Sequence, residues 1–326
     1  MTKPKVLVTS TKLSDAAKTV LRDGGADAIY MPDPVNEETL IAKFSTTEIN
    51  AVLLRTSPSF TRRVFEAAKH LKIIAKHGAG VDSVDIDAAT AHGVVVVTAG
   101  DANADPVAEQ AIMFMLALAR DLPQLNGEMH QGRWDKNAYQ GREFRGRVVG
   151  IVGYGQIGRR TARLAQALGA RVVLYSRSRI ADPAGMEVEE DFGRLLGKVD
   201  ILSLHCPLTD KTRGMIGEKQ LGMMKPGALL INTARGGLID EAALAAALKD
   251  GRLAGAGLDT FVLEPTDPQN PLIHLDNVIC TPHVAAMTAD AMVRMGITAA
   301  NNIINFFQSG ECVMANVVNP AVLKKS

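Results

Sequence analysis

Short apolar runs alternate along the chain with stretches in which apolar residues recur every three or four positions. From the N-terminus the runs are 5–9, 51–54, 72–75 and 94–97, and helical patterns lie between them at 14–24, 36–44, 61–69 and 84–92. Runs of Val, Ile and Leu without alternation predict strands covered on both faces, hence a parallel sheet wrapped by helices. This makes a small α/β domain of residues 1–100. Residues 98–105 break the rhythm, and Pro106 then opens a helix at its favoured first position, running to about Arg120. That helix is apolar on nearly every side and wants burial on more than one face. The polar stretch 127–145 follows and carries the single tryptophan, Trp134. Helix and arm together predict a homodimer interface; an intramolecular flap is the alternative.

Residues 147–179 hold the clearest local signal. The apolar run 148–152 turns through Gly153-Tyr154-Gly155-Gln156-Ile157-Gly158 into a helical pattern that stops at Gly169, and a second apolar run, 172–175, follows. Strand, glycine turn, helix and strand fit one βαβ unit with a dinucleotide-binding turn. Gly153 permits the tight turn, Gly155 lets a pyrophosphate approach the backbone, and Gly158 lets the helix pack close to the strand. Gln156 and Ile157 open the helix, whose unpaired N–H groups and partial positive charge face the phosphates. The alternating rhythm then resumes, with strands at 199–204, 228–231, 254–258 and 278–281 and a helix at 241–249 capped by Asp240 and ended by Gly251. A long helix from Thr288 to about Gln308 is expected to pack back on the first domain, which becomes discontinuous. The expected division is residues 1–100 with 287–326 as a flavodoxin-like substrate domain, and residues 101–286 as a Rossmann NAD(P)-binding domain with a dimerisation arm. Both are doubly wound parallel sheets of the α/β class.

Composition narrows the function. The 326 residues hold 36 basic and 35 acidic side chains, a net charge of +1, which advertises neither nucleic acid nor an anionic membrane as partner. The start, MTKPKVLVTS, has no signal-peptide core and runs straight into a strand. The longest apolar run, 111–119, has nine residues against the roughly 20 of a membrane helix. Three widely spaced cysteines, Cys206, Cys280 and Cys312, argue against a disulfide framework or a zinc site and for a reducing cytoplasm. No histidine pair has metal-ligand spacing, so no metal is expected.

Chemistry collects where strands end. Arg235 follows the run 228–231, Glu264 lies soon after 254–258, and His283 follows 278–281, on one carboxyl edge beyond the dinucleotide turn. Reducing a 2-oxo acid needs hydride, a proton for the oxygen and a cation for the carboxylate. Arginine's fork binds two carboxylate oxygens at once. Histidine suits the proton because its unperturbed pKa of about 6.5 lies near working pH. A neighbouring carboxylate, Glu264, holds the ring and balances its charge. In the first domain the loop Lys76-His77-Gly78-Ala79-Gly80-Val81-Asp82 also follows a strand, and the backbone N–H groups of Ala79, Gly80 and Val81 are candidates to hold a substrate carboxylate; an ordinary strand–helix turn is the alternative. Arg55-Thr56 ends another strand on that edge, Arg55 either contacting an anionic substrate or standing in solvent.

These blocks resemble a known family. The turn 153–158, Leu230-Ile231-Asn232-Thr233-Ala234-Arg235-Gly236-Gly237, Gly257-Leu258-Asp259-Thr260-Phe261 with Glu264-Pro265, and Thr281-Pro282-His283 look like the signature blocks of the D-isomer-specific 2-hydroxyacid dehydrogenases, in order over nearly the whole chain; His77–Asp85 is similar to that family's substrate loop. The resemblance implies Arg235 for substrate binding, His283 as acid/base, Glu264 as its partner, Asp259 near the nicotinamide carboxamide, a two-domain cleft and a homodimer built on the cofactor domains. Along the strand ends it places Ser176, Arg177, Cys206, Pro207, Thr212, Thr233, Ala234, Arg235, Asp259, His283 and Ala285 at the coenzyme with the glycine turn. Two departures stand out. Val284-Ala285-Ala286 occupies a place where many members carry a glycine, with little consequence expected. Where NAD-preferring members carry an aspartate, this chain reads Tyr175-Ser176-Arg177-Ser178-Arg179. Serine does not repel a 2′-phosphate and arginine matches one, so NADP(H) is favoured over NAD(H), the alternative being arginines in solvent and NAD held through Ser176. The expected activity is reduction of small 2-oxo acids such as glyoxylate or hydroxypyruvate. The alternatives are a short D-3-phosphoglycerate dehydrogenase, with Arg55 and Lys76 as extra cations and without the regulatory extension of many such enzymes, and an NAD(H)-sensing corepressor. Formate dehydrogenases are set aside, since by resemblance they carry glutamine where Glu264 stands.

Overall fold

The computed structural model describes residues 3–32, 34–55 and 58–325, so Thr56 lies outside the described residues. The chain divides into two compact units, residues 1–103 with 286–326 and residues 104–285. The boundaries fall at 103/104 and 285/286 rather than at 100/101 and 286/287. The first unit begins with β1 (Lys5–Val8), α1 (Asp15–Asp23), β2 (Asp27–Tyr30), α2 (Glu37–Thr46), β3 (Ala51–Leu54), α3 (Arg62–Ala67), β4 (Ile73–Lys76), α4 (Ile86–Ala91) and β5 (Val95–Val97). Its five strands run parallel in the order β2-β1-β3-β4-β5. Every residue of β3 and β4 is buried, which is why β3 and the first three residues of β4 read as unbroken apolar runs. Edge strand β2 escaped the pattern, because Asp27 is exposed and its other three residues are only half-buried.

The second unit contains α5 (Ala104–Ala119), α6 (Leu122–His130), β6 (Val148–Val152), α7 (Gln156–Ala167), β7 (Arg171–Tyr175), β8 (Glu187–Val188), α8 (Phe192–Lys198), β9 (Ile201–Leu204), α9 (Glu218–Met223), β10 (Ala228–Asn232), α10 (Glu241–Lys249), β11 (Leu253–Leu258) and β12 (Val278–Cys280). All seven strands are parallel, in the order β12-β11-β10-β9-β6-β7-β8. The order reverses between β6 and β9, the switch point at which open α/β sheets form their ligand crevice. Helix α5 packs on α7, β10 and β11, with Phe114 and Met115 fully buried, which accounts for its all-round apolar sequence. It starts at Ala104 rather than at Pro106; the proline still sits in the first turn, where its missing N–H costs nothing. The stretch read as a polar arm begins inside helix α6. No residue of α6 is buried, so no apolar stripe announced it.

The chain then returns to the first unit as α11 (Ala289–Ser309), N-capped by the Thr288 side chain, which accepts from Ala291 N at 3.2 Å. Its Ala299, Ala300, Ile303 and Ile304 join Val6, Val8, Leu53 and Ile73 in one cluster against the sheet.

Candidate active site

The glycine turn has the geometry a pyrophosphate needs. Gly153 adopts φ +96°, left-handed backbone that favours glycine. A Cβ on Gly158 would stand 2.0 Å from the Gly153 carbonyl oxygen, so helix α7 lies against the turn as only glycine permits. A Cβ on Gly155 would meet nothing within 4 Å. Gly155 is the N-cap of α7 and has no side chain to occupy the helix N-terminus. Gln156 and Ile157 are the first two helical residues. The residues present therefore fit a dinucleotide.

The other positions assigned to the coenzyme lie at the carboxyl ends of neighbouring strands. Ser176 and Arg177 follow β7, Arg177 exposed and Ser176 accepting the Ser178 N–H at 3.3 Å. Cys206 and Pro207 follow β9, the Cys206 thiol pushed up by burial and drawn back by the positive charge of Arg177. The Thr212 hydroxyl is directed inward: it donates to the Pro207 carbonyl at 2.7 Å and accepts the Thr209 N–H at 2.8 Å, and so shapes this loop. Thr233 and Ala234 follow β10. The buried hydroxyls of Thr233 and Thr260 have no partner among the described residues, as expected of polar groups awaiting a ligand.

Arg235, Glu264 and His283 come from three successive strand ends. Asn232, fully buried, shapes the first: its Oδ1 accepts Ala234 N at 3.0 Å and its Nδ2 donates to the Arg235 carbonyl at 2.9 Å. Gly236 then lies so close to the next loop that a Cβ would stand 1.9 Å from the Phe261 carbonyl carbon. The half-buried Arg235 donates from one guanidinium nitrogen to the Ala234 carbonyl at 2.6 Å. Glu264 accepts Phe261 N on Oε1 at 3.0 Å and meets His283 Nδ1 with Oε2 at 2.7 Å. His283 has φ +53°, rare outside glycine and costing about 1–3 kcal/mol. Asp259 holds it there. With only 1% exposure, Asp259 accepts Val284 N at 2.9 Å, Ala285 N at 3.0 Å and the Thr281 hydroxyl at 2.5 Å, while its carbonyl accepts His283 N at 2.7 Å. Sequence reasoning gave no role to Asn232 or Thr281, since their work is to bond neighbouring backbone and carboxylate.

The first unit carries the remaining candidates at the carboxyl edge of its own sheet. Ala79 is exposed, with Gly80 and Val81 partly so. Lys76, read as a spare cation, is 7% exposed; its ammonium donates to the Arg55 carbonyl at 2.6 Å and to Ser83 Oγ at 3.0 Å. The Arg55 guanidinium donates to the Lys12 carbonyl. Burial, and then the charge of Arg55, pull the His77 imidazole down to about 4, and its Nε2 bonds the Met292 carbonyl at 3.1 Å. Among the described residues, no cluster of His, Cys, Asp and Glu could hold a metal, and no helix is long and apolar enough to cross a membrane.

Comparison with known proteins agrees with this geometry. Residues 112–285 match the family model for the NAD-binding domain of D-isomer specific 2-hydroxyacid dehydrogenases. A D-3-phosphoglycerate dehydrogenase of Archaeoglobus fulgidus is 40% identical over 305 residues, 92% of this chain but 57% of its own length. The chain thus spans little more than half of that relative. The hydroxypyruvate reductase of Thermotoga maritima is 39% identical over 78% of this chain and 84% of its own. Among solved structures, the NADPH-dependent glyoxylate/hydroxypyruvate reductase of Sinorhizobium meliloti, in complex with NADP and malonate, matches with a TM-score of 0.83 at 29% identity over 97% of each chain. Two parallel α/β sheets, a dinucleotide turn, the His283–Glu264 pair and these matches agree: the chain belongs to the D-isomer specific 2-hydroxyacid dehydrogenase family.

Proposed function

We propose that the chain is an oxidoreductase that moves a hydride between a nicotinamide coenzyme, NADPH in preference to NADH, and a small 2-oxo acid of the glyoxylate or hydroxypyruvate type. The observation that carries this reading is the 2.7 Å bond between His283 Nδ1 and Glu264 Oε2. It engages one ring nitrogen and leaves Nε2 for the substrate oxygen. In the proposed reaction the bound nicotinamide supplies the hydride. The Arg235 guanidinium takes the substrate carboxylate, bidentate where the geometry allows. His283 gives the Nε2 proton to the forming hydroxyl, and Glu264 keeps the ring oriented and balances the imidazolium. Asp259 acts here through the His283 loop. Gly153–Gly158 and α7 take the pyrophosphate, with Ser176 and Arg177 toward the 2′-phosphate. In the first unit, the N–H groups of Ala79, Gly80 and Val81 are assigned to an anionic substrate group, as is Arg55.

The test is a panel of 2-oxo acids with NADPH and NADH, in the parent and in Arg177→Ala. The expected result is higher kcat/KM with NADPH, lowered in the variant. A parent that prefers NADH, or an Arg177→Ala variant as efficient with NADPH, overturns the coenzyme assignment. A second reading, oxidation of D-3-phosphoglycerate, is favoured by the relative 40% identical to this chain, and 3-phosphoglycerate belongs in the panel. Tight NAD(H) binding with no turnover of any acid would point instead to a sensor. The exposed side chains of Leu122, Met129 and Trp134, the last 77% exposed, support a homodimer through this region, which sedimentation of the full chain tests. The three free cysteines support a reducing cytoplasm.

A further inference from the structure

Glu241 is the first residue of α10, has no part in the reaction proposed above, and reaches across to the loop that carries Glu264. Its Oε1 accepts the Val262 N–H at 2.7 Å and its Oε2 accepts Asn270 Nδ2 at 2.8 Å. One carboxylate therefore ties both ends of segment 262–270. Val262 and Leu263, the residues just before Glu264, are 61% and 63% exposed. Their side chains bury too little to fix the backbone there, so hydrogen bonds must do it. Glu264 depends on that backbone directly, because its Oε1 accepts from Phe261 N, one residue before the Val262 N–H that Glu241 holds. The Phe261 backbone also lies close against Gly236. Asn270, the other end of the tie, caps the short 3-10 helix Pro271–His274 through Leu272 N at 3.0 Å. Burial, and after it the negative charge of Glu241, push the thiol of Cys280, the last residue of β12, up to about 11.

We propose that Glu241 is a positioning residue for the acid–base pair, its two carboxylate oxygens closing segment 262–270 so that Glu264 meets His283 Nδ1. The inference rests on His283 and Glu264 being that pair. Charge-assisted bonds of this kind are the stronger ones, and a displacement of about 1 Å at the reacting groups costs up to about a hundredfold in rate.

The experiment is a double-mutant cycle on the full chain with its best 2-oxo acid and NADPH, reading kcat, KM and coenzyme Kd. Glu241→Ala lowers kcat about tenfold or more and leaves KM and coenzyme Kd within about twofold. Glu241→Gln, which keeps an acceptor for Val262 N–H and conserves shape, falls between parent and Ala. In a Glu264→Gln background the further loss on adding Glu241→Ala shrinks to about twofold or less, because the group being positioned is already impaired. Equal kcat in parent, Gln and Ala variants overturns the inference. So does an undiminished loss in the Glu264→Gln background, which marks a purely structural role. If Glu264→Gln alone turns over as the parent does, the acid–base reading itself fails, and the Glu241 assignment with it.

Discussion

Two glycines of one turn should fail in opposite ways when each is changed to alanine. At Gly158 the new Cβ would lie 2.0 Å from the Gly153 carbonyl oxygen, against the 3.4 Å or more of an ordinary contact. The obstructing atom is backbone, so the turn and α7 must separate rather than a side chain swing away. Overpacking costs about 1–3 kcal/mol, and a backbone clash of this depth belongs at the upper end. Alanine's better helix propensity returns about 1 kcal/mol. A net loss of about 2 kcal/mol corresponds to a Tm lower by roughly 4–8 °C for a unit of this size. At Gly155 a Cβ meets nothing, and the backbone, φ −81° and ψ −161°, is open to alanine. Stability should change by less than about 0.5 kcal/mol, yet the methyl group stands where the pyrophosphate comes to the helix N-terminus. Coenzyme affinity should fall at least about tenfold, about 1.4 kcal/mol. Differential scanning calorimetry of the coenzyme-free variants and titration with NADPH read the two effects separately. If Gly158→Ala melts with the parent, the close-approach reasoning is wrong. If Gly155→Ala binds NADPH as the parent does, the pyrophosphate does not sit on this turn.

His283→Ala should lower kcat by about 10²–10⁴-fold, the usual worth of a general acid, with coenzyme Kd little changed; near-parental turnover at neutral pH would remove His283 from the role. Arg235→Lys should raise KM markedly, since a point charge does not replace a two-pronged fork, and steady-state kinetics with unchanged KM and kcat would refute the clamp. Burial brings the His205 imidazole down to about 3 from an ordinary 6.5. It is therefore neutral in the folded protein, and its contribution is complete above about pH 6.5 and lost as pH falls from there toward 3. Tm measured against pH should decline less steeply below pH 6.5 in His205→Asn than in the parent, and parallel profiles would contradict the assignment.

How much was legible beforehand depended on how local each cause was. The inner strands were readable because burial on two faces makes them apolar runs, as in Ala51–Leu54 and in Ile73 to Ala75 of β4. The turn Gly153–Gly158 was readable because each glycine answers a backbone demand set within a few residues. Capped helices such as α1, α10 and α11 declared their own starts through Ser14, Asp240 and Thr288. Edge strands β2 and β8 and helix α6, which has no buried residue, carry no such pattern, because what is unburied is free to be polar.

The chemistry of Arg235, Glu264 and His283 could be named from the order of strand ends, but the 2.7 Å bond between the last two could not. That bond depends on the left-handed backbone of His283, on the buried Asp259 that holds it, on Gly236 against Phe261, and on Glu241 reaching the Val262 amide. Likewise Lys76 reads as a cation available to substrate, yet the fold spends its ammonium on the Arg55 carbonyl and Ser83. Residue type and spacing determine which elements form and which reactive groups reach an edge, since those causes act within a turn or two of chain. Which hydrogen bonds those groups make is set by partners that are 19 to 25 positions away in sequence, and only the packed sheet brings them together.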